Sequence, residues 1–494
     1  MLSSDNGPVF EVAVTGDYWG RAVAAWTQAT ADGDRAAFYA TRNAFGRWDT
    51  PVRLTAVDPT IRTARHLSVV GSSSSGTAAV VWVEGAGGTD SIHAAIRWTG
   101  DRPFTNEEVF SSSAALSQPS AALRGTRIDL VWVENGGLRS ATREQFHPWS
   151  VSGTRFVAGS ARVDDLANGG FLLIYAAAAD RTVDAAVRYY DDPDYSVIGP
   201  LDSADSNDLS IASGDYGTAA VWSSASGVFE AWHLSAFHPS YRLSAEPGGD
   251  VRSIYMSSAG ALTAWEGQQV EAAYIPFSTT DPTTLGPVSE GAAAEGSLDM
   301  ARSGRGSKAA VSWVPAESPS EVDLSLAAFG YDQTSFGAPQ ALLTSPAGAS
   351  FEDTSVTFAG GPSVLVVARG QTEAGGPDRA LAAVLDLERP WVASFSPGYY
   401  ESNVSRRTDV KVNFNEPMRR RTLKEAFSLA YEKRRRERRV DGDPSVRKHG
   451  RVLTFDPAHR LRGDEELRIR VDTTATDLAG NRLRPGQDAS FYTR

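Results

Sequence analysis

Residues 66–85, HLSVVGSSSSGTAAVVWVEG, hold a semi-apolar strand, a turn of small residues and a nearly unbroken apolar strand. Far downstream, residues 354–370, TSVTFAGGPSVLVVARG, write the same phrase. Aligned on the second strand, the chain repeats it eight times. The copies are AVAAWTQ (Trp26), AVVWVEG (Trp82), DLVWVEN (Trp132), FLLIYAA (Tyr175), AAVWSSA (Trp222), ALTAWEG (Trp265), AAVSWVP (Trp313) and VLVVARG (Ala368). The aligned positions lie 56, 50, 43, 47, 43, 48 and 55 residues apart. A β-patterned period of about 40–50 residues is the sequence form of propeller blades.

Each repeat divides into four short strands. The second is apolar throughout, as expected of a strand buried on both faces, and its aromatic residue is assigned to the core. The third alternates and carries small residues, as in IHAAIRW and VDAAVRYY. The fourth is the most polar and suits an exposed outer edge. The eighth repeat stops after its third strand at AAVLDLERP, so residues 1–9 are candidates to complete it. The expected fold is all-β: a propeller over residues 1–388, with eight blades, or seven and an irregular unit.

The wider composition agrees. A chain of 494 residues exceeds one core. Its 45 Gly and 25 Pro supply turns, and its 12 Trp and 41% apolar content argue for a packed protein. The absence of cysteine excludes disulfides, thiolate metal sites and a cysteine nucleophile. No apolar run is long enough for a membrane-spanning helix. The start, MLSSDNGPVF, lacks the charged and apolar regions of an export signal. The expectation is a protein whose signal has been removed, located outside the cell, on its surface or in the periplasm.

The propeller segment resembles sialidase-type and related exported bacterial propellers. Ser3, Asp5, Gly7 and Phe10 match the Asp-box pattern of those families, and Ser213, Asp215 and Gly217 match it in part. In those families the box stabilises a turn, and a polar hairpin turn accounts for both stretches equally. The resemblance ends at the scaffold, because no Arg-Ile-Pro motif opens a catalytic arginine cluster. No P-loop, dinucleotide loop, GxSxG or HExxH occurs either. The expectation is therefore a non-enzymatic protein.

From Arg389 the text changes. SFSP (394–397), VNFNEPM (412–418), LTFDPAHRL (453–461), LRIRV (467–471) and DLAGNRL (477–483) closely resemble a bacterial immunoglobulin-like domain of surface-layer and adhesin proteins. The resemblance covers residues 389–494. It implies a β-sandwich of about seven strands acting as a spacer, stalk or anchor.

Charge separates the two parts. Residues 389–494 hold 24 of the 48 Lys and Arg but 15 of the 60 Asp and Glu, a net of +9 that leaves −21 on residues 1–388. The basic excess gathers at Arg419, Arg420 and Arg421, and at Lys433, Arg434, Arg435, Arg436, Arg438 and Arg439. These residues solvate a strand edge and loop, contact an anionic surface polymer, or dock onto the chain's own acidic propeller. Without interleaved aromatics the run is not a nucleic-acid site.

Two recurring sets are the candidate ligand residues. Acids follow the aromatic of the second strand at Glu84, Glu134 and Glu266, with Gln28 nearly equivalent. Arginines recur in the third strand at Arg42, Arg97, Arg143 and Arg188. Both sets are placed at one mouth of the propeller. No cofactor and no metal site are called for, although the acidic loops 191–196 and 202–208 could hold structural calcium. His233 and His238 read as a polar turn. The function that fits most residues is recognition or adhesion, with a glycan or a surface protein bound by the propeller. A glycan hydrolase or lyase on the same scaffold, or a structural bead in a surface assembly, are the alternatives.

Overall fold

A computed structural model describes the chain apart from residues 4–6, 18, 45, 57–61, 73–74, 101, 166–169, 178–181, 190–194, 203–205, 207, 215–216, 234–239, 257–259, 277–281, 304–307, 331–332, 360–362, 387–388, 434–435 and 478–479. Asp5, Asp215 and His238 thus lie outside the described residues, as does most of the acidic loop 191–196. The chain divides into two compact units, Met1–Val384 and Leu385–Arg494.

The first unit is a propeller of antiparallel meanders. In the first sheet Val9–Gly16, Ala22–Ala29, Arg35–Arg42 and Val52–Arg53 pair in sequence order. The strand Asp208–Gly214 opens another such sheet, followed by Gly217–Ser224, Gly227–His233 and Tyr241–Ser244. Among the described residues, eight inner strands follow one another around a common axis, each beside the next. They are Val9–Gly16, Arg62–Gly71, Leu116–Arg124, the second half of Ser150–Asp165, Asp208–Gly214, Val251–Met256, Asp299–Arg302 and Phe351–Phe358, and the last lies beside the first.

The long strand Ser150–Asp165 belongs to two sheets. Its first half pairs with Gly137–Glu144 and its second with Phe171–Ala177, with register shifts in both ladders. Continuous extended backbone there removes the loop that separates other repeats.

The apolar second strands are buried as their composition requires. Trp26, Trp82, Trp132, Trp222, Trp265 and Trp313 are wholly enclosed, and Tyr175 nearly so. Several stack on the residue opposite them in the third strand: Trp26 on Phe38, Trp82 on His93 and Trp222 on Phe229. A wide apolar ring at this position fills the wedge between adjacent sheets, which grows with distance from the axis.

The last sheet has three strands, Phe351–Phe358, Ser363–Gly370 and Arg379–Asp386. The N-terminus attaches to the third. Leu2 N–H donates to the Ala380 carbonyl at 2.8 Å, and Ala380 N–H donates to Ser3 Oγ at 3.0 Å. Val9 N–H donates to the Asp378 carbonyl at 2.9 Å. The first and last sheets are thereby joined through opposite ends of the chain.

The second unit is a β-sandwich. One sheet runs Val392–Ser396, Val410–Phe414, Val452–Pro457, Gly442–Arg447. The other runs Glu401–Val404, Asp488–Thr493, Glu466–Val471, Phe427–Lys433, Arg436–Arg439. Val410, Val412 and Phe414 turn inward while Lys411 faces solvent, the alternation that VKVNF encodes. The described residues hold nine strands where about seven were expected. The additions are short edge pieces, Glu401–Val404 and Arg436–Arg439, that composition does not separate from loop.

A second difference is local: the residues after Arg419 form a short helix, Arg420–Ala426, rather than edge or loop. RRTLKEA is made mostly of good helix formers, and Leu423 and Ala426 turn one face onto the core.

Removing residues 1–8 deletes the two hydrogen bonds of Leu2 and Ser3 to Ala380 and leaves those of Val9 to Asp378 and Val14 to Ser355. We expect a lower thermal midpoint for the propeller and early loss of amide-exchange protection in Arg379–Asp386. An unchanged midpoint and exchange pattern would show that the ring holds without this closure.

Candidate functional site

The inner strands enclose a cavity of about 530 Å³ on the propeller axis. All eight contribute to its wall, among them Ala13, Ser68, Ser120, Arg162, Ser210, Arg252, Asp299 and Asp353. Small and hydroxyl residues, Ala13, Ser68, Ser120, Ser210, Gly296 and Ser355 among them, alternate in the lining with valines and leucines and with the four charged residues.

The charges of the wall are paired. Asp208 accepts from Arg162 at 3.3 Å and from Arg252 at 2.8 Å, and Asp250 accepts from Arg252 at 3.1 Å. Burial works against the Arg252 charge, but Asp208, Asp250 and Asp299 outweigh it and hold the guanidinium above its usual range. Asp299 is saturated with donors. Its Oδ1 accepts Met300 N–H at 2.8 Å, and its Oδ2 accepts Val356 N–H at 2.8 Å and Ser355 Oγ–H at 3.0 Å. Asp353 is different. Burial pushes its carboxyl up to about 7, Arg369 opposes the rise and Asp299 adds to it.

Sequence reasoning missed these residues. A signal was present: acids recur at or near the start of inner strands, at Asp208, Asp250, Asp299 and Asp353. They stand outside the apolar phrase on which the repeats align.

The residues chosen from the sequence lie elsewhere, and the two sets are not together. Arg42 sits opposite Ala22, Arg97 opposite Ala78 and Arg188 opposite Phe171, all at the start of a second strand. Arg143 sits opposite Ile128, one residue further in. Glu84, Glu134 and Glu266 occupy the other end of the second strand, opposite Ser91, Gly137 and Val270. Six residues of strand separate Ala78 from Glu84, about 20 Å. The acids and arginines therefore belong to opposite ends of the blades, and none of them lines the axial cavity.

Their hydrogen bonds are local. Glu84 takes the indole N–H of Trp82 at 3.4 Å and pairs with Arg62, just as Gln28 takes that of Trp26 at 3.1 Å. Glu134 pairs with Arg139 across its hairpin, and Glu266 accepts Asp250 N–H at 3.4 Å. Burial, with the Asp250 charge next, raises Glu266 to about 7. Arg42 and Arg97 donate to the turn carbonyls of Gly20 and Gly76 at 2.8 and 3.2 Å. Arg143 grips Glu107 with two bonds of 3.1 and 3.0 Å. Arg188 is buried against Asp129, which also accepts the Tyr195 hydroxyl at 3.1 Å.

In the second unit Arg419, Arg420, Arg421, Arg438 and Arg439 are exposed. Arg421 stands 3.8 Å from Glu425, and Arg439 reaches the Phe427 carbonyl at 2.7 Å. The backbone places Lys433 and Arg436 opposite each other near a hairpin tip, whose Arg434 and Arg435 lie outside the described residues. The strand Arg436–Arg439 is the edge of its sheet, where charge discourages pairing with another chain. The described residues also hold one acidic trio with metal-ligand spacing, Asp386, Glu416 and Asp477.

Residues 386–493 match the bacterial Ig-like domain family. No curated protein matches the sequence. Solved structures share shape at low identity. A prolyl endopeptidase is 10% identical with a TM-score of 0.42, over 73% of this chain and 54% of its own. The NanB sialidase of Streptococcus pneumoniae, as its K499G mutant, is 8% identical with a TM-score of 0.41, over 78% of this chain and 70% of its own. The fucose-specific lectin of Aleuria aurantia is 11% identical with a TM-score of 0.34, over 58% and 98%. The propeller assignment stands on the strand topology above.

The raised Asp353 carboxyl sets a pH dependence. Its folded pKa exceeds its unfolded value, so the folded state binds the extra proton and stability falls as pH rises from about 4 to about 7. Asp353→Asn removes that loss. Above pH 7 the variant should be more stable than the parent by on the order of 2 kcal/mol, with little difference near pH 4. Thermal midpoints of both proteins across this range check the sign. Parallel curves would show that Asp353 does not titrate there.

Proposed function

We propose that the protein is a non-enzymatic recognition protein of the bacterial cell surface whose propeller binds a glycan in the axial cavity. The observation that carries this reading is the cavity wall, where serines stand among arginines and carboxylates. Sugars offer closely spaced hydroxyls that both donate and accept, and such a wall meets them with groups of both kinds. A volume of about 530 Å³ falls within the range of small-molecule sites. The Ig-like unit supports the surface assignment, since domains of this family are typical of surface proteins. No described helix is long and apolar enough to cross a membrane.

The engagement of the carboxylates favours binding over turnover. Asp208 is shared by two arginines and Asp299 by three donors, so the oxygens of both are already engaged by the protein rather than offered to a substrate. One observation favours the second reading, a glycan hydrolase. Asp353 is half-protonated near neutral pH in the same cavity as Asp299, which suits a general acid. The exposed arginines at 419–421 and 438–439 support an additional, salt-sensitive contact with an anionic surface polymer.

A glycan array probed with the full chain at low and high salt tests these readings. Ala13→Trp fills the cavity without removing a hydrogen bond. It should weaken any salt-resistant glycan binding at least tenfold, and binding that persists would move the site off the axis. Glycans that bind are then assayed for cleavage by the parent and by Asp353→Asn. Turnover lost in that variant would replace the recognition reading with the hydrolase. Replacing Arg419, Arg420 and Arg421 with serine should reduce only the binding that salt also removes.

A further inference from the structure

We propose that Asp386, Glu416 and Asp477 form a calcium-binding site within the C-terminal unit. Each offers a carboxylate oxygen, and the three oxygens lie within 4.8 Å of one another. The residues come from separate parts of the chain: the start of the unit, the NEP segment after the strand Val410–Phe414, and the DLAGN turn. Backbone pairing of Met418 with Asp477 brings the last two segments side by side.

The second observation is the state of Asp477. The residue is 1% exposed. Its Oδ1 is spent on the turn, accepting Gly480 N–H at 2.6 Å and Asn481 N–H at 2.9 Å. Its Oδ2 is buried and receives no hydrogen bond. A buried carboxylate oxygen without a donor is costly, and a cation that it ligates removes the cost. The turn amides hold the carboxylate in place and leave the second oxygen to the group of three.

The partners are also held. Asn415 donates its side-chain amide to Glu416 Oε1 at 3.0 Å, and its own Oδ1 accepts Trp391 N–H at 2.7 Å. Asn481, the last residue of DLAGN, donates its side-chain amide to the Asp386 carbonyl at 3.0 Å. One turn therefore fixes Asp477 through its backbone and Asp386 through its side chain.

The donors select the ion class. All three are hard oxygens, with no imidazole or thiolate, which points to calcium or magnesium rather than zinc or copper. Calcium binds oxygens at about 2.3–2.6 Å, so two of its ligands stand at most about 5 Å apart, and the three oxygens are close enough to share one ion. Three carboxylates, one or two of them bidentate, leave water to complete a shell of six to eight. Magnesium requires shorter bonds and a near-octahedral set, and it keeps most of its water.

The inference is independent of the glycan reading, and its test needs no glycan. Calcium chloride is titrated into metal-depleted full-length protein by calorimetry, in parallel with magnesium chloride, using the parent, Glu416→Gln and Asp477→Asn. We expect one calcium per chain that both variants lose or bind at least tenfold more weakly. We also expect calcium to raise the midpoint of one unfolding transition by several degrees in the parent and not in Glu416→Gln. If Asp477→Asn does not fold, Glu416→Gln decides alone, because its carboxylate caps no turn. No calcium bound at millimolar concentration, or calcium bound equally by parent and Glu416→Gln, would overturn the site. Magnesium bound as tightly as calcium would overturn the assignment of the ion.

Discussion

The propeller depends on how its innermost strands treat their unpaired edges. Apart from one parallel bridge between Arg35 and Thr63, the described inner strands have a ladder partner on one side only, and their other edge lies against the next sheet. Backbone N–H groups stranded there are costly. Among the described residues, an inner-strand side chain takes the neighbour's N–H at six junctions. Glu11 accepts from His66 at 3.0 Å, Ser120 from Val163 at 3.2 Å, and Asp164 from Ser213 at 2.7 Å. Ser210 accepts from Ser253 at 2.8 Å, Asp299 from Val356 at 2.8 Å, and Ser355 from Val14 at 3.1 Å. The last of these joins the final sheet to the first.

This solution also makes the axis chemically active. Carboxylates brought inward to accept backbone N–H groups crowd one another, and arginines are needed to balance them. Arg252 stands between Asp208 and Asp250, and Arg162 shares Asp208. Where the balance is incomplete, as at Asp353, burial raises the carboxyl to about 7. A polar cavity of mixed charge thus follows from satisfying strand edges, and the recognition reading uses groups that structure already requires.

Much of this was legible beforehand. The period, the apolar second strand with its buried tryptophans, the incomplete last repeat and the change of text near residue 389 lead to a propeller and an Ig-like sandwich. The candidate site was not legible in the same way. Glu84 and Gln28 recur because an enclosed indole N–H needs an acceptor, and Arg42 and Arg97 recur because turn carbonyls need a donor. Recurrence reported the needs of the repeat rather than a shared ligand. The two basic clusters that become the helix Arg420–Ala426 and the edge strand Arg436–Arg439 carried one expectation, strand edge and loop, since charge alone does not distinguish them.

The sequence by itself determined the strands and their faces, because alternation, unbroken apolar runs and turn residues act over a few neighbouring positions. It also marked where one unit ends and the next begins. Only the tertiary structure decided which side chains meet. Ring closure gathers between one and four residues from each of eight distant strands at the axis, and Asp477 of the DLAGN segment meets Glu416 and Asp386. Those encounters depend on sheet stacking and chain crossing, which local patterning does not encode. A fixed period shows which residues are equivalent, and their direction from the axis appears only when the ring is closed.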